Sequence, residues 1–314
     1  HRRRREDASF MKADLHVHSS FSHDVPSIPE FSPRALYDRA VERGMDFFTL
    51  TDHDTMEGIE ELQRSLQASF GDHPPIPCLR GVELKVYDRR IGHTIHINIL
   101  GLASGQLEEL KRRRYSLARF IGYCRQERLF HVYNHPLWFE RGERARLETV
   151  ERVMQMFPVV ELNAGRIPEL NARTAAMARR HRKPLIAASD THVGQVGKAY
   201  TQVAAATPEE FLAGVLAGEA QYVPSHFGFH TFFREVSEAV DLWLHDMSAS
   251  MQKRALPSGH SDRYWLAHRI LGRRFLRRPL PRRTLGILLK LVARATTYAF
   301  IRQQRRMALR LSDA

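Results

Sequence analysis

The stretch DLHVHSSFSHD (14–24) decides how this chain reads. It opens on an alternating run, Leu15, His16, Val17 and His18, that suits a β-strand. Period-2 geometry points His16 and His18 to one face, where both imidazoles can reach a single cation. Asp24 follows after a turn of small residues. An isolated HxH pair is a common strand feature, so its weight depends on what recurs downstream.

Much does recur. β-rich runs lie at KADLHVH (12–18), DFFTLTDH (46–53), IPCLRGVEL (76–84), HTIHINIL (93–100), LFHVYNH (129–135), FPVVELNA (157–164) and KPLIAASDTH (183–192), with QYV (221–223) as an eighth. Helical spacing predicts helices over 33–43, 56–70, 104–127, 144–155, 168–181 and 207–217. Ser32-Pro33 and Thr207-Pro208 read as N-cap plus N1 proline. Strands alternating with helices imply parallel strands and crossover helices, and seven or eight such units predict a closed α/β barrel.

Nearly every predicted strand ends on, or just before, a His, Asp or Glu, as in TDHDT, GVEL, YNHP, ELNAG and ASDTH. In α/β barrels that is the face where chemistry is built. The candidate ligands are His16, His18, Asp24, His53, Glu83, His96, His135, Asp190 and His192. In HTIHINIL, Ile95, Ile97 and Ile99 would face helices while His96 faces inward; His93 is the weaker candidate. Asp190 and His192 form a DxH with the same period-2 logic as HxH. Packing that many carboxylates and imidazoles into one cleft is costly unless cations neutralise them. Asp14, Asp52 and Asp54 are placed to orient ligand imidazoles. Arg166 and Lys198, near strand ends, are candidate phosphate-binding cations, each with a surface ion pair as the plainer role.

The net charge of +13 sits almost wholly at one end. Residues 226–314 carry 17 Lys and Arg against six Asp and Glu. They read as three helices, the second over 261–278 and the last over about 284–311. This basic tail suits a solvated appendage, an anionic membrane surface or, less well, nucleic acid met by the cluster Arg273, Arg274, Arg277, Arg278, Arg282 and Arg283. The stretch TLGILLKLVARATTYAFI is long enough to span a bilayer, but Lys290 and Arg294 interrupt it, which favours an interfacial helix or a buried core helix. Two cysteines, Cys78 and Cys124, argue against a disulfide framework and for a reducing, cytoplasmic setting, with the tail peripheral on the inner membrane face. Residues 1–11 are set aside as a disordered basic start, leaving 12–225 as the catalytic unit.

The ordered set DLHVHSSFSHD, TDHDT, GVEL, H-x-x-I-L-G, NHP and SDTH resembles the polymerase and histidinol phosphatase (PHP) domain over roughly residues 12–225. The resemblance implies an α/β fold, a distorted (β/α)7 TIM-like barrel, with the helical basic extension added. It implies two or three divalent ions, zinc, manganese or iron. One ion would take His16, His18, Glu83 and Asp190; a second Asp24, His53 and His192; a third His96 and His135, with Glu83 bridging. Many members carry Ser-Asp-Gly one residue before the position of Asp24; here Ser22-His23-Asp24 stands, so Asp24 is expected to ligate, with His23 as its substitute. The chain has no room for the inserted lid of members acting on nucleotides and RNA 5′ ends. The expected activity is hydrolysis of a phosphomonoester or phosphodiester, on a small phosphorylated metabolite or nucleotide, by a metal-activated water. The competing class is a metal-stabilised regulatory module that works through its tail.

Overall fold

The structure, a computed structural model, describes residues 10–140, 142–143, 146–249 and 279–312. Six strands pair in the order β2 (Phe48–Leu50), β3 (Cys78–Val86), β4 (Ile95–Leu100), β5 (Phe130–Tyr133), β6 (Val159–Asn163) and β7 (Leu185–Ala188). The β2–β3, β5–β6 and β6–β7 pairs are parallel. β4 runs antiparallel to both β3 and β5, against the all-parallel expectation. The cause is chain length. Residues 87–94 join β3 to β4 directly, and a parallel return needs a crossover of about a dozen residues or more. Reversal puts the start of β4 beside the ends of its parallel neighbours, so His96 occupies the first turn of its strand and not the last.

β1 (Phe10–Ala13) starts before residue 12 and pairs antiparallel with β8 (Tyr200–Ala204), which pairs with β9 (Gln221–Val223). β8 is absent from the sequence expectations. Residues 14–18 then run extended between the two edges of the six-stranded sheet. Thr51 N donates to Val17 O at 2.8 Å on one side; His18 N donates to Thr191 O at 3.2 Å and Asp190 N to His16 O at 2.9 Å on the other. The sheet therefore curls until its edges meet through the HxH segment.

Helices α1 (Pro33–Glu42), α2 (Glu57–Phe70), α3 (Gln106–Arg113), α4 (Leu117–Gln126), α5 (Leu147–Met156), α6 (Pro168–Arg180) and α7 (Pro208–Leu216) surround it. Ser32 and Thr207 accept from Ala35 N and Glu210 N, as N-caps should. The single helix expected over 104–127 is broken at Arg114–Ser116. There Tyr87 N donates to Arg114 O, and Leu117 N to the Asp88 carboxylate, so the turn after β3 holds the break. Val82, Leu84, Val86, Ile95, Ile97 and Ile99 pack outward against helix residues such as Leu62, Leu110 and Phe120. Alternation leaves Glu83, His96 and Asn98 on the other face. A smaller cluster of Leu15, Leu100, Phe130, Val132, Ile186 and Phe211 closes the far end.

Helices α8 (Phe229–Ala249) and α9 (Pro279–Ser312) follow. The helix expected over 261–278 lies outside the described residues, as do 1–9 and Arg273, Arg274, Arg277 and Arg278. α9 begins before the expected 284, with Pro279 and Pro281 in the first turn, where no N–H is needed. It packs on α8 through Gly286 against Leu244 and through the ion pair of Lys290 with Asp241 at 2.7 Å. It also docks on the rim of the curled sheet: Gln304 Oε1 accepts from Ile167 N at 2.9 Å, and Gln304 Nε2 donates to Gly165 O at 3.1 Å.

Gly81 in β3 sits where the backbone of β2 comes close. A Cβ there would lie 2.6 Å from Leu50 O and 2.9 Å from Leu100 Cδ2. Gly81→Ala should therefore lower stability by about 1–3 kcal/mol. Urea unfolding checks this; a midpoint equal to wild type would contradict the close approach.

Candidate metal centre

All nine sequence-predicted side chains converge on the rim where β2, β3, β5 and β7 end and β4 begins. His16 and His18 extend from the edge-closing segment, with Val17 turned into the core between them. His16 Nε2 and His18 Nε2 lie 3.0 Å apart. Glu83 Oε2 is 3.4 Å from each, and Asp190 Oδ1 is 3.3 Å from each. Ligand bonds of about 2.0–2.1 Å around a tetrahedral ion separate the ligand atoms by about 3.3 Å. Five of the six edges of that tetrahedron are thus present.

The hydrogen bonds behind these atoms set their tautomers. Glu161 Oε1 lies 2.7 Å from His16 Nδ1, so that nitrogen donates and Nε2 keeps its lone pair. Ser22 Oγ donates to Asp24 Oδ1 at 3.0 Å and so accepts from His18 Nδ1 at 3.3 Å, which leaves His18 Nε2 bare as well. Burial opposes a proton on His16, yet Asp190, Glu161 and Glu83 raise it well above its ordinary value; with that proton lost, two imidazole lone pairs and two carboxylate oxygens crowd together. They repel each other unless a cation sits among them, so this donor set fits a metal ion.

Two further groups adjoin it. Asp24 Oδ2 lies 3.1 Å from His53 Nε2 and 3.0 Å from His192 Nε2, whose Nδ1 donates to Asp190 O. Asp24, not His23, stands between these imidazoles; the half-buried His23 ring only neighbours that of His53. Glu83 Oε1 lies 3.1 Å from His96 Nδ1 and 3.5 Å from His135 Nε2. The two oxygens of Glu83 thus serve different groups, the geometry of a bridging carboxylate. His93 stays outside, near the Tyr133 hydroxyl and edge-on to Phe139.

The electrostatics follow from this crowding. Burial opposes charge on Glu83, but His53 and His16 hold its carboxyl well below the usual range. Burial likewise opposes charge on Asp190, and the charge of a protonated His16 overturns it. His18 is pushed down to about 3 by burial and by the charges of His192 and His53. Burial disfavours protonated His53, yet Glu83 and Asp24 raise it to about 10; burial also opposes protonated His192, which Asp24 raises to about 9. Protons thus take the place of cations when none is bound. His135 and Asp190 have positive φ angles of 27° and 50°, backbone strain of the kind that collects at working sites.

Several expectations need correction. Asp190-x-His192 is no strand pair: β7 ends at Ala188, and the left-handed backbone at Asp190 breaks the alternation, sending the two side chains to different groups. Asp14, Asp52 and Asp54 orient no imidazole. Asp14 accepts from Ser189 N and Gly197 N, Asp52 from Ser19 N and Oγ, and Asp54 pairs with Arg114. Asp14 and Asp52 brace the backbone, and burial raises both to about 6. The orienting role belongs to Glu161, whose other oxygen accepts from His135 N and Asn163 Nδ2. It had the same signal as the candidate ligands, an acid near a strand end in ELNAG. Asn134 adds a hydrogen bond to Glu83 Oε1 at 2.9 Å.

Of the candidate phosphate-binding cations, Lys198 is taken by Glu235 at 2.7 Å. Arg166 lies over the Trp138 ring at 4.3 Å, with one terminal nitrogen 3.9 Å from Asp190 Oδ2; its buried Nε and Nη1 have no partner among the described residues.

Two outcomes are expected. Glu161→Gln keeps the shape but sets an amide against N–H donors, so metal affinity should fall about 10–100-fold in a competition titration. Because His53 and His192 hold protons without a cation, loading should release protons below about pH 9, and affinity should rise with pH toward that value. Metal titration in weak buffer checks this, and zero proton release would contradict it.

Comparison with known proteins follows the same line. The PHP domain model matches residues 14–216, well over half of the chain. The 3′,5′-nucleoside bisphosphate phosphatase of Chromobacterium violaceum is 35% identical over 116 residues, 35% of this chain and 36% of that protein. The phosphoribosyl 1,2-cyclic phosphate 1,2-diphosphodiesterase of Eggerthella lenta is 28% identical over 95 residues, 30% of this chain and 32% of the relative. The chain thus spans about a third of the length of these curated relatives. Among solved structures, PsfC from Pseudomonas syringae PB-5123 shares the fold with a TM-score of 0.53 and 17% identity, covering 76% of this chain and 99% of its own. Both named relatives are phosphoester hydrolases, and the chain belongs to the PHP domain family.

Proposed function

We propose that this chain is a metal-dependent phosphoesterase that hydrolyses a phosphomonoester or phosphodiester of a small phosphorylated metabolite or nucleotide. One observation carries this: His16 Nε2, His18 Nε2, Glu83 Oε2 and Asp190 Oδ1 crowd together, with both imidazole nitrogens 3.0–3.4 Å from each other and from each carboxylate oxygen. An ion there would be held by those four residues, a second would take Asp24, His53 and His192, and a third would take His96 and His135 together with Glu83. Zinc, manganese and iron suit this mixture of imidazole and carboxylate. Counting residues 14–18 as a strand makes the curled sheet a distorted (β/α)7 barrel, with 12–225 as the catalytic unit and 226–314 as an accessory region.

Bound ions supply Lewis acidity and an activated water at neutral pH. The chain's own residues do the rest. Glu161 and Ser22 hold His16 and His18 in the tautomers that leave Nε2 free. Arg166 offers two N–H groups to a phosphate oxygen from a plane fixed by Trp138. Cys78 and Cys124 have no part: burial pushes both thiols up to about 12. Phosphate release from p-nitrophenyl phosphate is expected with manganese or zinc and abolished by chelation. Arg166→Met should cut kcat/KM at least about tenfold with metal content unchanged. No turnover with any of several metals across a broad phosphoester panel would overturn the proposal.

A specific observation favours a place of work as well. α9 exposes Ile287, Leu288, Leu291, Val292 and Tyr298, while Gly286, Thr297, Ile301 and Gln304 face the protein. Residues 279–312 contain eight Lys and Arg and no acid. By length and composition Arg283–Arg310 could cross a bilayer, but Gln304 and Lys290 tie it along the protein surface. The reading that fits is an interfacial helix on an anionic, cytoplasmic membrane face; a second copy would set like charge on like charge. Co-sedimentation with phosphatidylserine vesicles at low salt is expected, and Leu291→Asp with Val292→Asp should abolish it. A protein that stays in the supernatant would refute this location.

A further inference from the structure

Beside the metal centre the molecule has a second concave surface. A groove of about 840 Å³ runs between the segment after β5, with Phe139, Glu140 and Glu143, and the last turns of α9, with Arg302, Arg306 and Arg310. Its volume suits a nucleotide-sized ligand. The three arginines repeat every four residues, so they line one helix face for about 12 Å. Among the described residues none of them has a carboxylate partner.

The facing carboxylates are already engaged elsewhere. Glu140 Oε1 lies 2.6 Å from Lys85 Nζ. Glu143 Oε1 accepts from Thr94 N and Oγ1, and its Oε2 accepts from Glu140 N. The groove therefore sets three cations against two carboxylates that are already held, Glu140 by the Lys85 ammonium and Glu143 by three neutral donors, so the arginines outnumber the acids and draw anions. It is also continuous with the catalytic cleft: Glu140 Oε1 is 3.4 Å from His96 Nε2. At the adjoining corner Phe300 of α9 packs on Trp138, whose ring carries Arg166.

We infer that Arg302, Arg306 and Arg310 form a second anion subsite, which receives a phosphate of the substrate other than the one cleaved. The preferred substrate class is then a small bisphosphorylated molecule. This rests on the phosphoesterase reading for the first phosphate. The subsite itself comes from α9, outside the residues 14–216 that match the family. It uses the basic end of α9 and meets the apolar stripe at 287–298 at Tyr298, which also lines the groove.

Calorimetry tests it with non-hydrolysable ligands, alkane bisphosphonates of increasing chain length against the matching monophosphonates, on manganese-loaded protein. Wild type should bind the best bisphosphonate at least about tenfold tighter than its monophosphonate, as one added charge-assisted contact implies. Arg302→Gln with Arg306→Gln, both at exposed positions, should shrink that ratio to within about twofold, with monophosphonate affinity retained. A wild-type ratio near one, or a large ratio surviving in the variant, overturns the subsite. Turnover of p-nitrophenyl phosphate by the same samples separates the two ideas. Discrimination without turnover sinks the hydrolase and leaves the subsite, whereas turnover without discrimination sinks the subsite alone.

Discussion

Two imidazole nitrogens and two carboxylate oxygens crowded into one place are the constraint around which this molecule is arranged. The Nε2 atoms of His16 and His18, Glu83 Oε2 and Asp190 Oδ1 come from three chain segments far apart in sequence. Holding them together requires the sheet to curl until residues 14–18 hydrogen-bond to both of its edges. It also requires Glu161 and Ser22 behind the rings, because a rotated or flipped imidazole would present an N–H to the cation. The buried carboxylates Asp14 and Asp52 lock the segment from below through backbone N–H groups.

The candidate site was legible in the sequence because ligand chemistry marks strand ends more sharply than hydrophobic pattern marks strands. All nine predicted side chains meet at one rim. What stayed hidden depended on direction and on partners. β4 has an ordinary alternating pattern, and period 2 is the same for a strand run either way. Only the short link after β3, and a histidine at the start instead of the end of its strand, betray the reversal. Glu161 carried the same mark as the ligands, and nothing in one dimension separates an acid that touches a cation from one that touches the imidazole behind it. β8 went unseen because YTQVA is short and half polar. The break between α3 and α4 comes from the turn at Tyr87 and Asp88, a tertiary cause invisible to local periodicity.

The excess positive charge, remote from the ligands in sequence, comes back to them in space. α9 bonds through Gln304 to the loop after β6, and through Phe300 it reaches the aromatic platform beneath Arg166. An apolar stripe and a basic ladder on one helix thus adjoin the chemistry from outside the family's own boundaries.

The Gln304 clasp has a practical corollary. Gly165 and Ile167 flank Arg166 in the chain, so the helix that grips them steadies the guanidinium between them. Trimming the C-terminal region to make a tidier catalytic fragment would strip one wall from the cleft. The fragment would keep all nine candidate ligands and lose the splint on Arg166. In this chain the packing around the candidate site extends beyond the residues that match the family.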